Sequence, residues 1–72
     1  MERKFVSSSN LHSVGYNSAS ETLEIKFIKS GVYQYFNVPS TIYEGLMSSY
    51  SKGGYFDDRI QDRFRFKKII NV

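Results

Sequence analysis

The sequence predicts a small α+β domain: a three-stranded antiparallel β-meander with two short helices packed on one face, in the order βββαα. Residues 22–27 alternate apolar and polar side chains, which is typical of a strand with one buried and one solvent-exposed face. Gly31 separates this strand from a second, aromatic one and so marks a hairpin turn. After Pro39, apolar residues recur at helical spacing.

Composition limits what such a chain does. Its 72 residues make one domain that buries only about 60% of its unfolded surface. Without cysteine and with one histidine, a zinc site of nitrogen and sulfur ligands is excluded. No apolar run reaches the ~20 residues of a membrane span, and the charged N-terminus lacks the apolar segment of a signal peptide. We therefore expect a soluble cytoplasmic protein without metal, cofactor or membrane partner.

The whole chain, 1–72, is predicted to be a single domain. Residues 1–9 include three consecutive serines without periodicity, so we expect a loose N-terminal arm before a folded core over 10–69. Leu11–Tyr16 is predicted to be the first strand and Thr22–Phe27 the second.

The turn at Gly31 sets which side chains of the third strand are buried. A three-residue loop, Lys29–Gly31, pairs Ile28 with Val32. Tyr33 and Tyr35 then join the buried face. A two-residue loop turns every side chain over and puts a glutamine in the core, which costs about 1–3 kcal/mol if its amide is unpartnered. We therefore favour the three-residue loop.

Two helices are predicted after this strand. Pro39 ends the strand, and Thr41–Glu44 matches a capping box. The first helix carries an apolar stripe made of Ile42, Tyr43, Leu46, Met47 and Tyr50. The second runs from about Ser51 or Gly54 to Gln61, and its inner face is marked by Phe56, Ile60 and Phe64. The segment from Phe64 onward is predicted to be either an extra edge strand or an extended tail.

In this order the residues resemble the KTSC domain, a small domain found at the C-terminus of some lysyl-tRNA synthetases and in stand-alone bacterial and phage-type proteins. The resemblance covers roughly Ser8 to Ile69. It rests on Leu23-x-Ile25-x-Phe27, Gly31-Val32-Tyr33-Gln34-Tyr35-Phe36, Val38-Pro39, Ile42-Tyr43-Glu44-x-Leu46, Ser51-Lys52-Gly53-x-Tyr55-Phe56 and Ile60-x-Asp62. The family tends towards Arg-Asp-x-Tyr-Pro-Tyr at its end, where this chain has Gln61 to Phe66 without tyrosine or proline. The synthetase context implies RNA as a ligand.

The best functional signal is a basic C-terminal run. The net charge is +3, and aromatic residues alternate with cations near the end of the chain. This pattern predicts a stripe that contacts the phosphates of RNA, either tRNA or a single strand. The predicted phosphate contacts are Arg59, Arg63, Arg65, Lys67 and Lys68, assisted by Lys52. The weaker candidates for stacking on bases are Tyr33, Tyr35, Phe64 and Phe66.

The alternative is a protein-interaction module. In the favoured register the outer face of the sheet carries Ile28, Val32 and Phe36, an apolar patch suited to a protein partner. Catalysis is not expected, since His12 has no companion histidine or cysteine and a lone histidine beside serines is commonly a strand residue.

Overall fold

The computed structural model describes residues 1–70 as a five-stranded antiparallel sheet with two helices inserted between the fourth and fifth strands. In chain order and in spatial order the strands are β1 (Lys4–Phe5), β2 (Leu11–Asn17), β3 (Thr22–Phe27), β4 (Gly31–Tyr35) and β5 (Phe66–Ile70). The helices are α1 (Ser40–Ser48) and α2 (Lys52–Arg59). Residues 71 and 72, the end of the predicted 64–72 segment, lie outside the described part.

The sheet has two strands more than the three that the sequence predicts. β5 pairs with β4, so the C-terminal segment is an edge strand, which is one of the two predicted alternatives. β1 pairs with β2, which replaces the predicted loose arm with an ordered segment over part of residues 1–9. Both added strands are exposed along their length. Because all residues of these strands are exposed, their sequences show no alternation of buried and exposed side chains. Only their pairing with a neighbouring strand defines them.

The hairpin between β3 and β4 differs from the prediction by two residues. Phe27 pairs with Gly31, whereas the predicted register pairs Ile28 with Val32. The loop therefore moves by one residue, from 29–31 to 28–30, and each residue of β3 pairs with a partner two residues earlier in β4 than predicted. Gly31 has the expected positive φ, 93°, and the backbone N–H of Ile28 donates to the carbonyl of Asn10, which draws Ile28 towards β2. A shift of two leaves every side chain on its predicted face. Tyr33 and Tyr35 therefore lie on the same face as Ile25.

The core lies between this face of the sheet and the two helices. Its buried members from the strands and from the helical half of the chain are Leu11, Val14, Leu23, Ile25, Phe27, Tyr35, Val38, Leu46, Phe56 and Ile60. The ring of Tyr16 stacks on that of Tyr43 with centroids 4.8 Å apart, and its hydroxyl donates to the carbonyl of Val38 at 2.6 Å. These contacts hold the start of α1 against β2.

Helix α1 begins without the predicted cap. Pro39 is its N-cap, and no side chain caps it, so the Thr41–Glu44 capping box is not formed. Leu46 is buried as predicted, but Tyr50 lies beyond the end of the helix and is fully exposed. A Cβ atom on Gly45 would lie 2.7 Å from Cζ of Tyr55, so this glycine leaves the room that the Tyr55 side chain of α2 occupies.

Helix α2 begins at a serine cap. The hydroxyl oxygen of Ser51 accepts from the backbone N–H of Gly54 at 3.2 Å, which satisfies one free donor of the first turn. Phe56 and Ile60 are buried as predicted. Among residues 1–70, neither helix has the length and apolar character that a membrane crossing needs.

The sheet face opposite the helices carries a buried polar network. Glu24, which strand alternation predicts to face water, is only 4% exposed. Its carboxylate forms an ion pair with Arg3 and accepts from Nε2 of Gln34 at 2.8 Å. Arg3 also donates from Nε to the hydroxyl of Ser13 at 3.2 Å. The N-terminal residues thus cover this face, and Gly15 leaves room for the backbone of Glu2.

Candidate nucleic-acid interface

Three aromatic rings lie side by side where β4 meets β5. Tyr33 and Tyr35 stack with centroids 6.4 Å apart. The ring of Phe66 lies 5.9 Å from Tyr33 and 5.7 Å from Tyr35. Phe66 is 56% exposed, Tyr33 is half-buried and Tyr35 is buried. The rings therefore form an aromatic surface that is anchored in the core at Tyr35 and open at Phe66.

The side chain of Lys68 contacts this aromatic surface. Nζ of Lys68 lies 5.6 Å from the ring centroid of Tyr33, within the range of a cation–π contact. Lys67 precedes it in an extended strand and pairs with Gln34, so its side chain projects from the other face of the sheet. The two lysines thus flank the β5 edge from opposite faces.

Three of the remaining predicted phosphate contacts lie between the end of α2 and the start of β5. Arg59 is over the ring of Tyr55 at 5.7 Å, and Arg63 donates from Nε to the carbonyl of Asp58 at 3.1 Å. Arg65 is exposed just before β5. Lys52 is at the other end of α2, where Nζ donates to the carbonyl of Ser49 at 3.0 Å. The cations therefore follow an edge and a turn instead of forming one flat stripe.

A cleft of about 340 Å³ opens between the aromatic surface and α2. Its walls are built from distant parts of the chain: the end of the segment before β2, both strands of the central hairpin, α2 and β5. The lining residues are Asn10, Phe27, Ser30, Tyr33, Tyr35, Phe56, Asp57, Gln61, Asp62 and Phe66. The volume lies at the small end of the range of about 300–1,000 Å³ for small-molecule sites.

The charged groups that line the cleft are carboxylates. Asp57 comes from α2, and Asp62 from the turn after it, where its φ of 63° is in the left-handed region that Asp and Asn tolerate best. Neither has an ion-pair partner among residues 1–70. Burial raises the pKa of the Tyr35 hydroxyl, and the nearby Tyr33 and Asp62 raise this pKa further. Tyr35 therefore stays neutral at the floor of the cleft.

The alternative docking patch differs from its prediction. Val32 is only 2% exposed, and its partners in the two neighbouring strands are Lys26 and Ile70. Ile28 lies in the hairpin loop and is 48% exposed, and Phe36 is half-buried. The expected continuous apolar patch is thus not present. Phe64, predicted to stack, is half-buried against the core.

The single histidine lies beside a buried serine. Nδ1 of His12 is 3.1 Å from the hydroxyl of Ser13, and this hydroxyl is also bonded to Arg3. Because Ser13 is 3% exposed, a substrate does not reach its oxygen. Residues 1–70 contain no group of three or more side chains placed to hold a metal ion.

Sequence reasoning missed the carboxylates of the cleft. Asp57 and Asp62 lie more than twenty residues from Tyr33 in the chain, and only folding brings them to it. The one signal that pointed to Asp62 is its place in the Ile60-x-Asp62 motif of the family resemblance.

Comparison with known proteins gives a consistent result. The KTSC domain family model matches residues 7–64. A crystal structure of a KTSC domain protein from Yersinia pestis superimposes with a TM-score of 0.94, at 43% identity, over 94% of this chain and 96% of that one. A lysine–tRNA ligase of Trichormus variabilis is 39% identical over 75% of this chain, but the match spans only 10% of the ligase. An uncharacterized protein of Stutzerimonas stutzeri is 33% identical over 96% of this chain and 99% of its own length.

The fold and the matches define a class of small α+β domains that occur both alone and as a short part of a much longer synthetase. The chain belongs to the KTSC domain family. The expected family resemblance is thereby confirmed. The structure adds two edge strands to the predicted βββαα core.

Proposed function

We propose that this KTSC domain is a small non-catalytic RNA-binding module that acts in the cytoplasm. It contacts phosphates of a single-stranded segment through the cations around β5 and stacks bases on the aromatic surface of Tyr33 and Phe66. A stacked base contributes about 1–3 kcal/mol with little regard to its identity. Phosphate contacts by lysine and arginine supply the rest of the affinity.

The observation that carries the proposal is the position of Lys68. Its Nζ lies 5.6 Å from the centroid of Tyr33 and beside an exposed Phe66. A cation next to an open aromatic surface matches the two parts of a nucleotide, because the base stacks while the phosphate meets the ammonium group. Arg63 and Arg65 are exposed just before β5 in the chain, and Lys67 adds positive charge on the other face of this edge.

The lysine–tRNA ligase from Trichormus variabilis supports RNA as the ligand. That enzyme acts on a tRNA by its name, and it contains a segment 39% identical to this domain. The segment is about a tenth of the ligase, so it is suited to an accessory contact with the RNA. The net charge of +3 is in keeping with this role.

Salt dependence tests the proposal directly. Binding of a 5′-fluorescein-labelled 11-nucleotide RNA is measured by fluorescence anisotropy between 50 and 200 mM KCl. Four phosphate contacts in a single strand predict an affinity loss of about 50-fold over this range, since the slope is about −0.7 per contact. Failure to bind any RNA at 50 mM KCl would overturn the proposal.

Two substitutions separate the contributions of charge and stacking. Lys68→Ala is expected to flatten the salt slope by about 0.7, whereas Phe66→Leu is expected to weaken binding at every salt concentration and to leave the slope unchanged. Lys4→Ala is the matched control, because it removes the same charge from the opposite edge of the sheet. An equal effect of Lys4→Ala and Lys68→Ala would show that only net charge matters.

A protein partner is the alternative function. The burial of Val32 removes the centre of the expected docking patch, which leaves the exposed sheet edges for such a contact. Sedimentation velocity at 50 and 500 mM KCl distinguishes the two functions. Apolar self-association changes little with salt, whereas contacts to RNA are lost.

A further inference from the structure

We propose that the cleft beside the aromatic surface takes one nucleobase of the bound RNA and that its two carboxylates favour guanine. This inference rests on the proposed RNA-binding function and assigns a base preference to the same site. The juxtaposition that carries it is a set of aromatic rings that line one cleft together with Asp57 and Asp62, with Nζ of Lys68 over Tyr33.

The shape of the cleft suits one flat ring system. The rings of Tyr33, Tyr35 and Phe66 are tilted by only 23–47° to one another, and Phe66 is the most exposed of the three. Phe27 and Phe56 meet these rings edge-on, at 82° to Tyr33 and 73° to Tyr35 respectively. All five of these aromatic side chains line the cleft, so its apolar surface is aromatic. A volume of about 340 Å³ is large enough for a single base.

The carboxylates decide which base fits. An ionised carboxylate only accepts hydrogen bonds, so it favours a base edge with adjacent donors. Guanine offers N1–H and the N2 amine side by side, which matches the two oxygens of one carboxylate. Uracil instead has a carbonyl oxygen on each side of its single N–H, and these oxygens repel an aspartate. Adenine and cytosine place a ring nitrogen acceptor next to their amine.

The position of Lys68 favours a nucleotide over a simple organic cation as the ligand of the cleft. Aromatic rings with carboxylates also attract ammonium groups, but Nζ of Lys68 already lies over Tyr33 and repels a second cation. A nucleotide uses all three features, because its base meets the rings and the carboxylates while its phosphate meets Lys68. The charge pattern of the cleft thus fits a guanine nucleotide better than a free cation.

The test compares three labelled RNAs of 11 nucleotides at 50 mM KCl: all uridine, uridine with one central guanosine, and uridine with one central inosine. Inosine lacks only the N2 amine of guanine. A bidentate contact to a base is worth about 1–3 kcal/mol, so the guanosine RNA is expected to bind about tenfold more tightly than the inosine RNA. Equal affinities for these two RNAs would overturn the inference.

Substitutions of aspartate by asparagine test whether the two carboxylates of the cleft cause the guanine preference. Asp62→Asn keeps a residue that tolerates the left-handed φ of 63°, and combined with Asp57→Asn it is expected to bring the guanosine-to-inosine ratio to within about twofold. The all-uridine RNA is expected to bind this variant at least as tightly as the native protein, because the variant removes negative charge, so the ratio and not the absolute affinity reports the guanine contact. Asp58→Asn is the control, since Asp58 lies 3.8 Å from Arg59 and does not line the cleft. A ratio that survives the double substitution would contradict the inference.

Failure of the inference is distinct from failure of the proposed function. Binding of the all-uridine RNA without a guanosine preference refutes the inference and leaves RNA binding intact. If no RNA binds, a titration with guanosine 5′-monophosphate and inosine 5′-monophosphate, followed by NMR of the aromatic side chains, examines the cleft alone. Selective shifts of Tyr33 and Phe66 with the guanosine nucleotide support the cleft, and identical responses overturn it.

Discussion

The guanidinium of Arg3 forms an ion pair with the carboxylate of Glu24 on the sheet face opposite the helices, where Glu24 is almost wholly buried. Gln34 donates to the second carboxylate oxygen. The pair ties the N-terminal residues to β3, the middle strand of the sheet. A segment that strand periodicity leaves undefined is thereby held in place by one charged contact.

Removal of Arg3 alone is expected to be more harmful than removal of the whole pair. Arg3→Met leaves a buried carboxylate without its cation and should lower the free energy of unfolding by about 1–3 kcal/mol, since Arg3 is itself partly exposed. The double variant Arg3→Met with Glu24→Gln should lie within about 1 kcal/mol of the native protein. Urea denaturation followed by far-UV circular dichroism measures both values.

A double-mutant cycle measures the coupling energy of this ion pair. The coupling energy between Arg3 and Glu24 is expected to exceed about 1 kcal/mol, as for residues within one network. Strictly additive single-variant losses would mean that the pair adds no stability.

Two glycines are expected to respond to alanine in opposite directions. A Cβ atom on Gly15 would lie 2.6 Å from the carbonyl oxygen of Glu2, so Gly15→Ala displaces the N-terminal segment and lowers stability by about 1–3 kcal/mol. On Gly53 the nearest atom, Cβ of Asn10, is 3.9 Å away. Gly53→Ala in α2 should therefore raise the free energy of unfolding by about 0.5–1 kcal/mol.

Thermal denaturation distinguishes the two glycine variants by the sign of the change in Tm. Amide hydrogen exchange adds a local readout, because Gly15→Ala should also deprotect the β1–β2 pairing. A rise in Tm for Gly15→Ala would contradict the packing of Glu2 on β2.

The helix caps give a prediction on which the sequence pattern and the structure disagree. Ser51 caps α2 through Gly54, so Ser51→Ala should cost about 1 kcal/mol of unfolding free energy. Thr41 makes no capping bond, and Thr41→Ala should be neutral or slightly stabilising because alanine has the higher helix propensity. A loss of about 1 kcal/mol for Thr41→Ala, measured by urea denaturation, would reinstate the capping box that the sequence predicts.

The buried Tyr35 predicts a loss of stability in alkali. Burial raises the pKa of its hydroxyl above the ordinary value of 10.0, and Tyr33 and Asp62 add to this rise. The folded state then holds the proton more tightly than the unfolded state does, so its contribution to stability is complete below pH about 10 and falls as the pH rises further. Urea denaturation between pH 8 and 11.5 should show this fall.

Tyr35→Phe is the control for the alkaline effect. It removes the titrating group but keeps the ring, so the fall in stability above pH about 10 should be shallower than in the native protein. An unchanged slope would assign the effect to other tyrosines, of which Tyr16 also has a raised pKa, owing to burial and then to Glu21 and Glu44.

The local sequence pattern is sufficient to predict the strands and helices that have a buried face. The alternation in Thr22–Phe27 and the positive φ of Gly31 put Tyr33 and Tyr35 on the core face, as the structure has them. The predicted hairpin register differs from the observed one by two residues, and the hydrogen bond from Ile28 to Asn10, just before β2, involves a part of the chain outside the hairpin. Side-chain alternation cannot detect a shift of two.

The same reasoning applies to the candidate interface. The sequence identified the cations and aromatics near the end of the chain, but their arrangement depends on how β5 pairs. Alternation along this strand puts Lys68 over Tyr33 and Lys67 on the other face. The carboxylates of the cleft come from α2 and the turn after it, and no spacing in the chain relates them to the tyrosines of β4.

By itself, the sequence determined the family, the α+β class, the three inner strands, both helices and the burial of Tyr35, because each depends on short-range periodicity, turn chemistry or a motif in a fixed order. Tertiary structure alone decided the two edge strands, the burial of Glu24 under Arg3, the loss of the Val32 patch and the cleft of Asp57 and Asp62. Each of these rests on contacts between residues far apart in the chain, whose free energy does not depend on the local sequence of either partner alone.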